Sequence, residues 1–254
     1  MPTKPVVVFA GGAWHSPEHY QDIRDELQQR GYETRGVPYQ SVGAEPPTKG
    51  LYDDAAAVRA VLEELADHGK QIVLVAHSYG GLVGAEAVNG LGYKQRAGDN
   101  KAGGVILFVY LAAFVGPKGQ SILSLTGNKD PPFARVEDGR MHVVAAAEAF
   151  YADVAPEARE RAIGLLKHQT TVSFEEPVTY EPWHDIDCMY VGCEDDGAIP
   201  FFAQEQMQQL LGPAAIKLRR KSSHSPFLSQ VSETADAIES AARAGQEAVA
   251  TWDA

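Results

Sequence analysis

The chain has 254 residues, 44% of them apolar, which is ample for one large α/β domain with a buried core and requires no second domain. Its 34 acidic residues outweigh 22 basic ones, and a net charge of -12 removes any electrostatic reason to bind nucleic acid or an anionic membrane, pointing to small neutral partners. The opening Met1-Pro2-Thr3-Lys4-Pro5 runs straight into five apolar residues, too few for the core of a secretory leader, and no apolar run reaches membrane-spanning length.

In chain order, residues 6–10 read as a buried strand. Ser16-Pro17-Glu18 supplies an N-cap with proline at the first helical position, and Gly31 ends that helix. Residues 32–37 form the next strand and 36–50 a Pro- and Gly-rich loop, after which Leu51, Ala55, Val58, Leu62 and Leu65 recur at helical spacing. Strand 71–75 leads through Ala76-His77-Ser78-Tyr79-Gly80-Gly81 into a small-residue helix over 82–88. The polar, glycine-rich stretch 89–103 reads as a surface loop, and the continuous apolar run 105–111 as a strand covered on both faces. From 117 to 184 the pattern changes to aromatic residues and short helical patches, 145–151 and 156–167, as expected of an inserted, mainly helical cap. Strand 187–191, helix 201–211 and strand 215–218 follow, and Phe227, Val231, Ala235, Ile238 and Ala242 mark a terminal amphipathic helix. This alternation predicts a doubly wound, mostly parallel sheet of about six strands, with residues 1–116 and 185–254 as core and 117–184 as cap. Two cysteines, Cys188 and Cys193, fall on opposite faces of one expected strand, which suits neither a disulfide nor a metal site and fits a reducing, cytoplasmic setting.

Ligands of such a sheet bind at the carboxyl ends of its strands. Ser78 stands where strand becomes helix, in a turn sharp enough to need small residues two before and two after it; Ala76 and Gly80 supply them. A serine hydroxyl is a weak nucleophile until a base within hydrogen-bond reach takes its proton and a carboxylate orients that base. His224, in Lys221-Ser222-Ser223-His224-Ser225-Pro226 after the last strand, is the best base. The cluster Glu194-Asp195-Asp196 follows the preceding strand and supplies the acid. Of the other histidines, His68 lies near a helix end, and His142, His168 and His184 lie in the cap. His15 reads as a loop-orienting residue, His19 as surface, and His77 as a packing and hydrogen-bonding group beneath the serine; Pro17 between His15 and His19 argues against a paired metal site.

Acyl chemistry also needs two backbone N–H groups aimed at the oxygen that gains charge. Tyr79 offers one, and the loop Gly11-Gly12-Ala13-Trp14-His15 the other, with Ala13 the chosen donor. That loop lacks the G-x-G-x-x-G spacing and the Lys-Ser/Thr of a phosphate loop, so neither nucleotide nor other cofactor is expected.

These residues resemble the α/β-hydrolase superfamily, and within it the small plant-type methyl-ester esterase and hydroxynitrile lyase family with its bacterial and fungal relatives. The resemblance rests on Gly12-Ala13-Trp14-His15, Leu111-Ala112-Ala113-Phe114 and Cys193-Glu194-Asp195-Asp196-Gly197-Ala198-Ile199-Pro200, and covers most of residues 5–240. It implies the α/β-hydrolase fold and selects Asp196 as the acid of a Ser78, His224, Asp196 triad. The lyases of that family carry a lysine after the catalytic histidine and a threonine in the oxyanion turn; Ser225 and Gly12 stand here, which favours an esterase.

The expected reaction is hydrolysis of a small carboxylic ester, thioester or lactone through an acyl-enzyme. Gly12, Trp14, His15, Phe114, Phe133, Phe150, Tyr151, Trp183 and Phe227 are the candidate substrate-binding residues, and as a set they favour a hydrophobic or aromatic acyl group. A lyase or C–C bond hydrolase using the same triad, and a non-catalytic ligand receptor on this fold, are the alternatives. A monomer or homodimer fits the sequence equally.

Overall fold

The computed structural model describes residues 3–252, so Met1 and Pro2 lie outside the described residues. Strands β1 (Val6–Ala10), β2 (Thr34–Gly36), β3 (Gln71–His77) and β4 (Gly104–Leu111) are followed by three short cap strands, β5 (Ala134–Glu137), β6 (Arg140–Val143) and β7 (Gln169–Thr170), and then by β8 (Cys188–Cys193) and β9 (Ile216–Arg220). β1–β4, β8 and β9 form one parallel sheet in the order β2-β1-β3-β4-β8-β9. Alternate residues feed opposite faces: Val6, Val8, Ile72 and Leu74 pack under helices Leu51–Asp67 and Gly80–Ala87, while Val7, Phe9, Val73 and Val75 pack under Gln21–Gln29 and Val231–Trp252. Among the described residues no helix is long and apolar enough to cross a membrane.

Several local expectations change. The first helix is a 3-10 turn, Pro17–Tyr20, joined to an α-helix, Gln21–Gln29, with Gly31 beyond its end at φ 85°. The stretch 89–103 is not all loop: Tyr93–Gly98 is helical, started by the Gln95 side chain accepting from the Gly92 N–H. The cap's helices (the longest Pro156–Leu165) are joined by an antiparallel sheet, β5-β6-β7, that helical periodicity does not announce. Its signal is Asp138-Gly139, whose φ values of 47° and 74° make the tight turn that joins β5 to β6. Cys188 and Cys193 are both buried and free at the two ends of β8.

The chain reverses its direction of travel across the sheet between β1 and β3, and ligands of open α/β sheets bind at such a point. Ala10 pairs with Ala76, so the turn after β1 lies beside the turn after β3. Space there is minimal. A β-carbon on Gly80 would sit 2.2 Å from the Ala10 carbonyl oxygen, and one on Gly81 2.0 Å from that of Phe114.

Beneath these turns the rings of His19 and His15 lie 4.6 Å apart, His15 and His77 5.8 Å, and His77 and His224 4.6 Å. His19 is buried, not on the surface, because the 3-10 turn directs its Nε2–H to the Ala162 carbonyl at 3.0 Å, closing the end of a cap helix. His15 donates from Nδ1 to the Ala13 carbonyl and accepts the Tyr151 hydroxyl at Nε2, both at 2.7 Å. His77 donates from Nε2 to the His224 carbonyl at 2.9 Å and accepts the Tyr20 hydroxyl at Nδ1 at 2.8 Å. Burial holds all three imidazoles below the ordinary histidine value, and so neutral.

Two sets of measurements check this packing. Gly81→Ala is expected to lose about 3 kcal/mol in urea unfolding because backbone must move, whereas Gly164→Ala, with open space around its β-carbon in the last turn of a helix, is expected to gain about 0.5 kcal/mol. Below the ordinary histidine pKa of 6.5 the unfolded chain takes up protons at positions 15, 19 and 77 that the folded chain refuses, so stability falls with pH. Asp54, which burial raises to about 6, opposes this by one proton. The net effect, at most two protons, is a loss of up to about 2.7 kcal/mol per pH unit between pH 6 and pH 5, read from urea melts, and His19→Gln should flatten it by up to about half.

Candidate active site

Ser78 follows β3 with φ 55°, left-handed backbone that an L-residue seldom adopts and that persists only when its surroundings fix it. Its carbonyl accepts from the Gly81 and Phe114 N–H groups at 3.0 and 3.1 Å, which pins the turn to the next helix and to the end of β4. Ser78 is largely buried and its side chain faces a cavity.

Asp196 and His224 meet from the ends of β8 and β9. His224 Nδ1–H donates to Asp196 Oδ2 at 2.7 Å, and both side chains are out of contact with solvent. Because a carboxylate only accepts, this bond leaves the lone pair of His224 on Nε2. Asp196 is gripped on every side: Oδ1 accepts the Ala198 and Ile199 N–H groups at 2.7 and 2.8 Å, and Oδ2 also accepts Gln204 Nε2 at 2.9 Å. Glu194 and Asp195 instead donate backbone N–H groups to the Arg220 and Ser222 carbonyls. Phe150 stacks near the His224 ring, 5.7 Å between centroids, and lines the same cavity as Ser78. Gln204, invisible to a motif reading, could have been suspected only from its place one turn into the helix after Asp196.

Backbone accounting leaves donors unpaired in the turns after β1 and β3, those of Ala13 and Tyr79 among them. In the turn after β1, the Gly12 N–H goes to Tyr20 Oη at 2.7 Å, that of Trp14 to Gln169 Oε1 at 3.1 Å and that of His15 to the Gly12 carbonyl at 3.3 Å. Among the described residues the N–H groups of Ala13 and Tyr79 have no acceptor. Unpaired N–H groups in a buried setting are costly unless something occupies them part of the time. Gly12 is tight against its neighbours: a β-carbon there would meet His77 Nδ1 at 2.9 Å and Ser78 Cβ at 3.3 Å.

The cavity over Ser78 encloses about 320 Å³. One wall is a buried aromatic cluster, with Trp14 5.7 Å from Phe150 and 5.5 Å from Phe174 between ring centroids. The opposite wall is the exposed segment that holds Thr126, Lys129 and Asp130. Of the nine residues named from sequence, Trp14, Phe114, Phe133 and Phe150 line the cavity. Gly12, His15, Tyr151, Trp183 and Phe227 do not, a correction with simple causes. Gly12 is closed in by His77; the His15 and Tyr151 polar atoms bond to each other. Phe227 stacks under Tyr20 at 4.5 Å and Trp183 packs beside His184 in the turn that leads to β8. Sequence reading missed Phe174, Ile122, Ala198 and Ile199 as lining residues, since two sit in four-residue helices and two in the acid-bearing loop.

Comparisons agree with this architecture. The chain is 32% identical over 234 residues to the α/β hydrolase nvfD of Aspergillus novofumigatus, covering 89% of this chain and 92% of that protein. Its fold is similar to the crystal structure of a pyrethroid hydrolase from Sphingobium faniae, with a TM-score of 0.77 at 22% identity over 96% of this chain and 99% of the other. A methylesterase, MES16 from Arabidopsis, superposes with a TM-score of 0.72 at 18% identity, covering 93% and 98%. The family model described as the alpha/beta hydrolase family matches residues 7–237, and the chain, a hydrolase of the α/β type, belongs to that family.

Proposed function

We propose that the protein is a serine esterase that cleaves small carboxylic esters with a hydrophobic or aromatic acyl group, thioesters and lactones included. The observation that carries this reading is a serine on strained backbone that opens on an apolar cavity and is followed by an unpaired N–H, with a buried His224–Asp196 pair packed near Phe150, which lines the same cavity. Ser78 Oγ attacks the ester carbonyl carbon while His224 Nε2 takes its proton. Asp196 keeps the Nδ1–H tautomer and stabilises the imidazolium. The carbonyl oxygen, now negative, accepts from the Ala13 and Tyr79 N–H groups, which have no other acceptor among the described residues. Collapse expels the alcohol, which takes the proton from His224. Water, deprotonated by the same nitrogen, then attacks the acyl-enzyme and releases the acid. The acyl group sits against Trp14, Phe150 and Phe174, where desolvation favours apolar carbon and disfavours charge.

Ser78→Ala is expected to lower kcat on p-nitrophenyl esters by at least about 10⁴-fold with an unchanged melting temperature, and a fluorophosphonate should modify the wild-type protein once, at Ser78 by peptide mapping. A folded Ser78→Ala that still turns over would overturn the mechanism. Asp196→Asn should keep substrate KM yet lose about 10⁴-fold in kcat, since the amide favours the wrong imidazole tautomer. Products decide between classes: acid plus alcohol supports hydrolysis, an aldehyde or ketone supports the lyase or C–C reading, and tight ligand binding without turnover supports a receptor.

A further inference from the structure

The Trp14 backbone is left-handed, at φ 65°, a conformation uncommon for a bulky residue and sustained only where the surroundings over-determine it. The cap supplies that constraint at three points. The Trp14 N–H donates to Gln169 Oε1 at 3.1 Å, its carbonyl accepts the Lys167 N–H at 3.2 Å, and its indole Nε1–H donates to the Met141 carbonyl at 2.9 Å. Met141 and Gln169 are themselves paired across β6 and β7.

Gln169 is fully buried and spends its whole amide on this junction. Nε2 donates to Ser41 Oγ at 2.6 Å and to Ser173 Oγ at 2.7 Å. Ser41 in turn donates through its hydroxyl and, at 2.9 Å, its N–H to the carboxylate of Asp54, which also accepts the Tyr79 hydroxyl at 2.9 Å. One continuous network therefore runs from the residue after Ala13 to the side chain of Tyr79. Packing alone does not require a fully satisfied polar chain through an apolar core, and such chains fix geometry because each member has one arrangement.

We propose that Gln169 is a positioning residue for the oxyanion hole: from the cap it holds Trp14 left-handed so that the Ala13 N–H points at the reacting oxygen, and through Ser41 and Asp54 it sets the Tyr79 donor against it. The proposal rests on the serine esterase reading. It makes the cap part of the charge-stabilising machinery as well as a wall of the cavity. Small displacements at such a donor are expensive in rate, since N–H groups act only when aimed at the oxyanion.

The test compares wild type with Gln169→Met, which keeps volume and removes every hydrogen bond of the amide. The expected result is a kcat on p-nitrophenyl esters lower by about 10- to 100-fold with KM changed less than about threefold. Affinity for an aryl trifluoromethyl ketone, which adds Ser78 and forms an oxyanion, should fall by the same factor. Affinity for the corresponding trifluoromethyl alcohol, which forms none, should not change. A merely structural role would lower both affinities together or neither, and either result overturns the proposal. If Gln169→Met does not fold, Ser41→Ala cuts the network with one hydroxyl: a selective loss of ketone affinity supports the proposal, and wild-type affinity overturns it. A wild-type protein that the ketone does not inhibit instead overturns the esterase reading itself.

Discussion

The site depends on a turn with no room for side chains. At the end of β3 the backbone enters a left-handed conformation at Ser78 and immediately starts a helix whose first residues lie against two carbonyl oxygens, those of Ala10 and Phe114. Only glycine at 80 and 81 allows that approach. The result is a serine raised out of the sheet, a free N–H on the next residue, and a helix docked close enough for both turns to share one edge. Every other element of the site is arranged around this point.

The second constraint is electrical neutrality in a row of buried rings. The Gly12 N–H donates to Tyr20, Tyr20 donates to His77, and His77 donates to the carbonyl of His224. That chain has one direction, and it ties the loop after β1 to the loop that carries His224. Because burial holds His77 neutral, His224 faces no standing positive charge from it despite rings only 4.6 Å apart. A charge there would oppose formation of the imidazolium that the proposed mechanism requires.

The parallel core was legible because β-strands buried on both faces are continuous apolar runs, and runs such as 105–111 leave little room for another reading. The strand ends were legible for the same reason, and Ser78, Asp196 and His224 each follow one. The cap was less legible. β5 and β6 alternate apolar and polar residues, Ala134-Arg135-Val136-Glu137 and Arg140-Met141-His142-Val143, but over only four residues each, too short a run to stand out, and the Asp138-Gly139 turn is the clearer sign. His19 was misplaced because a 3-10 turn rotates side chains differently from an α-helix of the same sequence. Which aromatic residues line the cavity was only partly readable: Trp14, Phe114, Phe133 and Phe150 were named from sequence, but Phe174 and Trp183 sit in similarly short elements and only tertiary packing separates them.

The two walls of the cavity differ in how freely they can evolve. Trp14, Phe150 and Phe174 interlock with one another and with the core, so a change there is paid for in stability. Lys129 and Asp130 are exposed and have no side-chain hydrogen bond or ion pair among the described residues, and surface substitutions of that kind usually shift stability by no more than about 0.5 kcal/mol. Descendants of this chain can therefore exchange one half of the ligand's surroundings while the other half, and the chemistry beneath it, stays fixed.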